Sequence, residues 1–175
     1  MTTKEKLGYD PVNHPKHYNI GSKEVLQVIE EWGADRDHMV GNAIKYIARA
    51  YWKGSFVDDL KKSVFYLNRR ISNEPKGFWN RVKNWISPKY PVFNVDPAEV
   101  EFVIDDWQLR GDFYLAMALK CIAENDLLFA VHYLENRIEA IDTLPEILFE
   151  HPDFYVEEDD IDTEVFETTY GKLML

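Results

Sequence analysis

The chain has 175 residues, enough for one good core or two small helical units but not for two large domains. With 46% hydrophobic residues and 25 aromatics it is a folding sequence rather than a disordered one, and no apolar run approaches the roughly 18 residues a membrane span requires. The single cysteine, Cys121, excludes an internal disulfide and a cysteine-rich zinc site, and reads as a buried thiol.

The N-terminus lacks the apolar stretch of a secretory signal, so a soluble cytoplasmic protein is expected. The net charge of −11 is unevenly spread: residues 1–89 hold 16 Lys/Arg and 10 Asp/Glu (+6), residues 90–175 hold 4 and 21 (−17). A basic half beside an acidic one points either to an anionic ligand or to attraction between the halves.

Residues 1–13 are polar and are expected to be flexible. His14-Pro15 opens an extended or turn segment, because the residue before proline is pushed out of the helical region. Gly21-Ser22 marks a helix start with Ser22 as N-cap, and Val25, Val28, Ile29 and Trp32 form the apolar stripe up to Gly33. A second helix is predicted from about Arg36 to Tyr51, capped by Asp35, with Val40, Ala43, Ile44, Ile47 and Tyr51 facing the core. His38, Asn42, Lys45 and Arg49 fall within about 60° on another face. Lys53-Gly54-Ser55 is a turn, and Ser55 caps a third helix with apolar positions Val57, Leu60, Val64, Leu67 and Ile71. Asp58, Lys62, Phe65 and Arg69 share another face of it.

After Pro75, Phe78, Val82, Trp85 and Ile86 predict a short basic amphipathic linker helix. It is either packed between two units or a membrane-surface or nucleic-acid contact. From Phe93 the chain repeats itself. Residues 18–48 and 93–123 align without a gap at an offset of 75, with 11 identities in 31 columns, among them Trp32/Trp107, Asp37/Asp112 and Lys45/Lys120. Further on, Tyr66-Leu67 through Arg70-Ile71 matches Tyr133-Leu134 through Arg137-Ile138. The expected fold is all-α: two tandem copies of a three-helix unit, 14–72 and an eroded 93–142, joined by a linker over 73–92 and followed by an acidic extension over 143–175. The second copy keeps the core and loses the polar face: Asn42 becomes Met117, Arg49 becomes Glu124, and only Lys120 and Arg137 remain of the basic set.

Lys45, Arg49, Lys53 and Lys62 are the best lead to chemistry. Converging cations suit phosphate, Arg as a planar fork and Lys as a mobile point charge, although charged stripes are more often plain solvated faces. Asn42 beside them has the amide to read a base or sugar edge. His14 and His17, three apart, are phosphate contacts, acid/base groups near neutral pH, metal ligands or loop-packing residues; no metal site is predicted. Asp58-Asp59 either pairs with a cation, acts as a base, or simply favours the helix N-terminus. Neither a phosphate-binding glycine loop nor a dinucleotide fingerprint occurs, so any nucleotide must be held by side chains. The glutamates Glu24, Glu30 and Glu31 lack the second acidic set that an all-helical pyrophosphohydrolase needs.

The run His14-Pro15-Lys16-His17-Tyr18, then Gly41-Asn42-Ala43-Ile44-Lys45-Tyr46-Ile47-Ala48-Arg49, then Lys53 and Asp59-Leu60-Lys61-Lys62, resembles a small tailed-phage domain family over about residues 13–71. The family is mostly uncharacterised; it includes a podoviral nucleotide kinase that lacks the usual phosphate loop. The resemblance implies a phage protein of the host cytoplasm that binds nucleotides, and a (deoxy)nucleoside monophosphate kinase using a phosphate-donor nucleotide, with or without magnesium. Carried onto this chain, His17, Asp59 and Arg49 take catalytic positions, and His14, Tyr18, Asn42, Lys45, Tyr46, Lys53 and Lys62 bind substrate or phosphate. Tyr51-Trp52 departs from the small or basic residues of the kinase-like pattern. The alternative is a non-enzymatic protein that binds and inhibits a host or defence factor through its acidic C-terminal half or aromatic linker. Nucleic acid is not an expected partner; an internal pseudo-dimer is, with further assembly left open.

Overall fold

Six α-helices and two 3-10 turns, with no strand, make up the described residues, 18–77, 90 and 93–143, of a computed structural model. Helix α1 spans Val25–Glu31, a 3-10 turn Ala34–Arg36, α2 His38–Arg49 and α3 Phe56–Ser72. The order then recurs: α4 Pro97–Asp106, a 3-10 turn Leu109–Gly111, α5 Phe113–Ala123 and α6 Leu127–Thr143. The predicted linker helix over Phe78–Ile86 and the acidic residues 144–175 lie outside the described residues.

The α2–α3 and α5–α6 hairpins pack through α3 against α6, as a helical bundle with its apolar stripes turned inward. Val28, Val40, Ala43, Ile44, Ile47, Leu60 and Leu67 are fully buried on one side, and Val103, Leu115, Ala118, Leu119, Ile122 and Leu134 on the other. No helix among the described residues is long and apolar enough to cross a membrane.

Three caps differ from the sequence expectation. Ser55 holds the N-cap position of α3 but makes no side-chain cap bond, its hydroxyl donating instead to the Lys53 carbonyl at 3.5 Å. Ser22 does not cap α1: the cap position is Glu24, without a side-chain bond, and the Ser22 N–H instead donates to Asp106 Oδ1 at 2.8 Å. Nor does Asp35 cap a helix running from Arg36 to Tyr51. The chain first makes the 3-10 turn, and Asp37 caps α2, its Oδ1 accepting from the N–H groups of Met39 (3.1 Å) and Val40 (3.3 Å). In the second unit, Asp112 does the same for α5, accepting from Tyr114 and Leu115, both at 3.1 Å.

The other oxygen of each cap reaches a buried arginine of the third helix. Arg70 Nε donates to Asp37 Oδ2 at 2.5 Å, and Arg137 Nε to Asp112 Oδ2 at 2.6 Å. A tyrosine from outside the unit covers each arginine's end of the pair. The Arg70 guanidinium lies 3.6 Å from the Tyr90 ring centroid, and the Tyr51 hydroxyl donates to Asp112 Oδ2 at 2.6 Å. Arg137, which the sequence suggested was a relic of a basic face, is therefore a buried structural group.

The entry to α1 ties the units together a second time. Gly21 passes so close to Asp106 that a Cβ there would meet its carboxylate at 2.4 Å. That approach lets Ser22 and Lys23 donate their N–H groups to the two Asp106 oxygens, while Trp107 Nε1 donates to the Lys23 carbonyl at 3.2 Å. Burial works against the Asp106 charge, but these backbone donors prevail and hold its carboxyl below the ordinary range.

Removing one partner of a buried ion pair strands the other's charge. Arg70→Ala and Asp37→Ala are each expected to lower unfolding free energy in urea by about 3–5 kcal/mol, whereas Lys53→Ala, at an exposed turn, should stay within about 0.5 kcal/mol. Burial first, then the Asp112 charge, push the Tyr51 hydroxyl's pKa up. A raised folded-state pKa means stability that is complete below the unfolded tyrosine value, about 10, and is lost as pH rises beyond it. A Tm-versus-pH series from 8 to 11 should therefore fall more steeply in the wild type than in Tyr51→Phe.

Candidate functional site

The basic stripe of α2 meets the first half of α3 around one ring. Arg49 Cζ lies 4.4 Å, Lys45 Nζ 5.1 Å and Lys62 Nζ 5.5 Å from the centroid of Tyr46. Cations are drawn to an aromatic face by its quadrupole, so one tyrosine holds three like charges in a small volume. Among the described residues a single carboxylate opposes them. Arg49 donates through Nε to Asp59 Oδ2 (2.7 Å) and through Nη2 to Oδ1 (3.1 Å), and Lys62 Nζ reaches the same Oδ1 at 3.0 Å.

Local sequence places each group. Arg49 is the last residue of α2 and Asp59 lies in the first turn of α3, so the short 50–55 connection brings them face to face. Lys45 and Arg49 are four apart and share a helix face; Asp59 and Lys62 are three apart and do the same. Arg49 and Asp59 are buried, with side chains 8% and 1% exposed, whereas the Lys62 side chain is 47% exposed. Arg49 thus forms the floor, and the two lysines its mobile upper edge. Burial acts against the Arg49 charge, but the Asp59 hydrogen bonds prevail and raise its pKa above the ordinary guanidinium value.

Most of the residues singled out in the sequence converge here. Tyr18 accepts a hydrogen bond from Arg49 Nη1 on its hydroxyl at 3.0 Å. Asn42 Oδ1 accepts from Lys45 Nζ at 2.6 Å, and its Nδ2 donates to the His38 carbonyl at 2.7 Å, so both ends of the amide are engaged. Lys53 is exposed in the α2–α3 turn and joins none of these contacts. His14 and His17 lie outside the described residues.

Sequence reading missed the aromatic continuation of the site. Tyr66 stacks on Tyr46 (5.8 Å between centroids, 17° between planes), His38 meets Tyr66 edge-on at 6.0 Å, and Phe65 meets it edge-on at 5.5 Å. The i, i+4 pairing of Lys62 with Tyr66 and the adjacency of Phe65 were the available signals.

The second unit offers no such centre. Arg49 is answered by Glu124 and Tyr46 by Cys121, whose thiol burial pushes up in pKa. Lys120, the counterpart of Lys45, is neutralised by Glu101 at 2.5 Å. Between residues 38 and 72 there are seven Lys/Arg and two Asp (+5); between 113 and 143 there are two Lys/Arg and five Asp/Glu (−3).

Residues 12–68 match the domain family described as a protein of unknown function (DUF3310), about a third of the chain. That stretch holds α1, α2 and most of α3, and with them every site residue named above, His14 and His17 included. No curated protein and no solved structure matches the chain.

Asp59→Asn removes the counter-ion of a buried guanidinium and is expected to cost about 3–5 kcal/mol in urea unfolding. Lys62→Ala, at the solvated edge of the same carboxylate, should cost no more than about 1 kcal/mol. Equal costs would contradict the division into a fixed floor and a mobile edge.

Proposed function

We propose that the chain is a nucleotide-binding protein whose phosphate subsite is the Lys45–Arg49–Lys62 cluster over Tyr46. The observation that carries this reading is the charge imbalance: three cations on one ring, opposed among the described residues by Asp59 alone. A phosphate monoester brings close to two negative charges and acceptor oxygens, which neutralise that excess. Lys45 and Lys62 are the groups free to close on it, because the Arg49 guanidinium already serves Asp59 and Tyr18.

The enzymatic part of the proposal is phosphoryl transfer to a nucleoside monophosphate, as the resemblance to the phage family suggests. In that reaction the two lysines stabilise charge developing on the transferred group, and His17 supplies or removes a proton. Asp59 acts on the reaction through Arg49, since its oxygens are taken by Arg49 and Lys62. We read the second unit as a scaffold copy that shields α3 while lacking the cation cluster. The rival reading, capture of a host factor through the acidic C-terminal half or the aromatic linker, rests mostly on residues 78–86 and 144–175, outside the described residues; within them it has the exposed Phe102, Phe113, Leu128 and Phe129 of the second unit.

A thermal-shift series against the common nucleoside mono- and triphosphates, with and without magnesium, tests the reading. A ligand at a hundredfold excess over Kd stabilises by about 2.7 kcal/mol, several degrees in Tm. Lys45→Ala and Lys62→Ala should abolish the shift while keeping the ligand-free Tm near wild type; an undiminished shift in the double variant would overturn the proposal. Arg49→Ala is the poorer probe, because it strands Asp59.

A further inference from the structure

The cation cluster accounts for a phosphate and leaves two aromatic side chains beside it without a task. Phe65 is 57% exposed on α3, between the buried Ser63 and Leu67. It is the last member of a run of rings: Tyr46 beneath the cations, Tyr66 stacked on Tyr46, and Phe65 edge-on to Tyr66. The successive centroids are 5.8 Å and 5.5 Å apart, so the run leads away from the charged centre in ring-sized steps. Lys62 and Arg69 flank Phe65 on the same helix at i−3 and i+4; Arg69 is exposed and makes no ion pair among the described residues.

We infer that Phe65 and Tyr66 form the base platform of this site, on which the aromatic ring of a nucleotide stacks while its phosphate lies against Lys45 and Lys62. The inference rests on the nucleotide reading and assigns the base of that ligand to two named residues. Stacking on an exposed phenyl tolerates any base, since every base has a π-face, and the neighbouring cations add attraction. The assignment also moves base recognition away from Asn42 and Tyr18. The Asn42 amide is tied to Lys45 and the His38 carbonyl, and the Tyr18 hydroxyl to Arg49. The second unit keeps rings at the two platform positions, His132 and Tyr133, but not the phosphate side of the site: Lys62 aligns with Phe129 and Tyr46 with Cys121.

The test is calorimetric titration of the full chain with the tightest-binding common nucleoside monophosphate and with ribose 5-phosphate, which has the phosphate and sugar but no base. The nucleotide should bind wild type at least roughly tenfold more tightly than ribose 5-phosphate. Phe65→Ala should reduce the nucleotide to the ribose 5-phosphate level and leave ribose 5-phosphate unchanged; Phe65→Trp should restore the preference. Unchanged nucleotide affinity in Phe65→Ala, with affinity lost in Lys45→Ala, overturns the platform and leaves the phosphate site standing. No nucleotide binding by wild type overturns both. Light scattering covers the remaining occupant of an exposed phenyl, a second copy of this chain. If Phe65→Ala lowers the assembly state and keeps nucleotide affinity, Phe65 belongs to that interface and the platform falls.

Discussion

Each unit of this bundle is organised by one buried aspartate whose two oxygens serve different helices. In the first, Asp37 Oδ1 satisfies the opening N–H groups of α2 while Oδ2 holds Arg70 near the far end of α3. Capping alone is worth about 1 kcal/mol, and a surface pair less still. Here the same carboxylate also neutralises a guanidinium that has left water, so breaking either contact exposes the cost of both. The α2–α3 angle, and with it the approach of Arg49 to Asp59 at the opposite end of the hairpin, follows from this anchor. The cation cluster is thus built at one end of a hairpin that is fastened at the other.

Much of this was legible in the sequence, and the parts that were not have definite physical causes. Apolar spacing placed the helices, because a 3.6-residue stripe is written directly into the residue order. The offset of 75 foretold that the element order would recur, and the 3-10 turns at 34–36 and 109–111 keep that offset. The caps were misplaced because Ser22, Asp35 and Asp37 have similar local preferences, and only the tertiary partner decides. Asp37 wins because Arg70, 33 residues on, fixes its second oxygen. Arg137 was misjudged for the same reason: a buried arginine and an exposed one look alike until the aspartate facing it is known. The polar face of α2 was read correctly as a group, but its division into a buried guanidinium and mobile lysines depends on the depth of the α2–α3 groove, which no periodicity records.

The two units show what the cation cluster costs and what the fold alone requires. Both keep the aspartate cap, the arginine of the third helix and the buried tryptophan. The first unit has Gly33 at its left-handed position, φ 72°, free of strain; the second bears Gln108 at φ 56°, where a side chain is disfavoured. That difference lies in the scaffold, not in the chemistry. Between α2 and α5 the charge differs at one pair, Arg49 against Glu124; most of the differences lie along α3 and α6, where the exposed Lys61, Lys62 and Arg69 are matched by Leu128, Phe129 and Asn136, outside the bundle core.

Tyr51 makes the two units interdependent. It belongs to the first unit by sequence, yet its hydroxyl completes the buried Asp112–Arg137 pair of the second. In return, Asp106 of the second unit receives the Ser22 and Lys23 N–H groups at the entry to the first. Neither unit closes its own polar groups alone, so a cut between them would leave one buried ion pair short of its tyrosine and one helix entry without its acceptor.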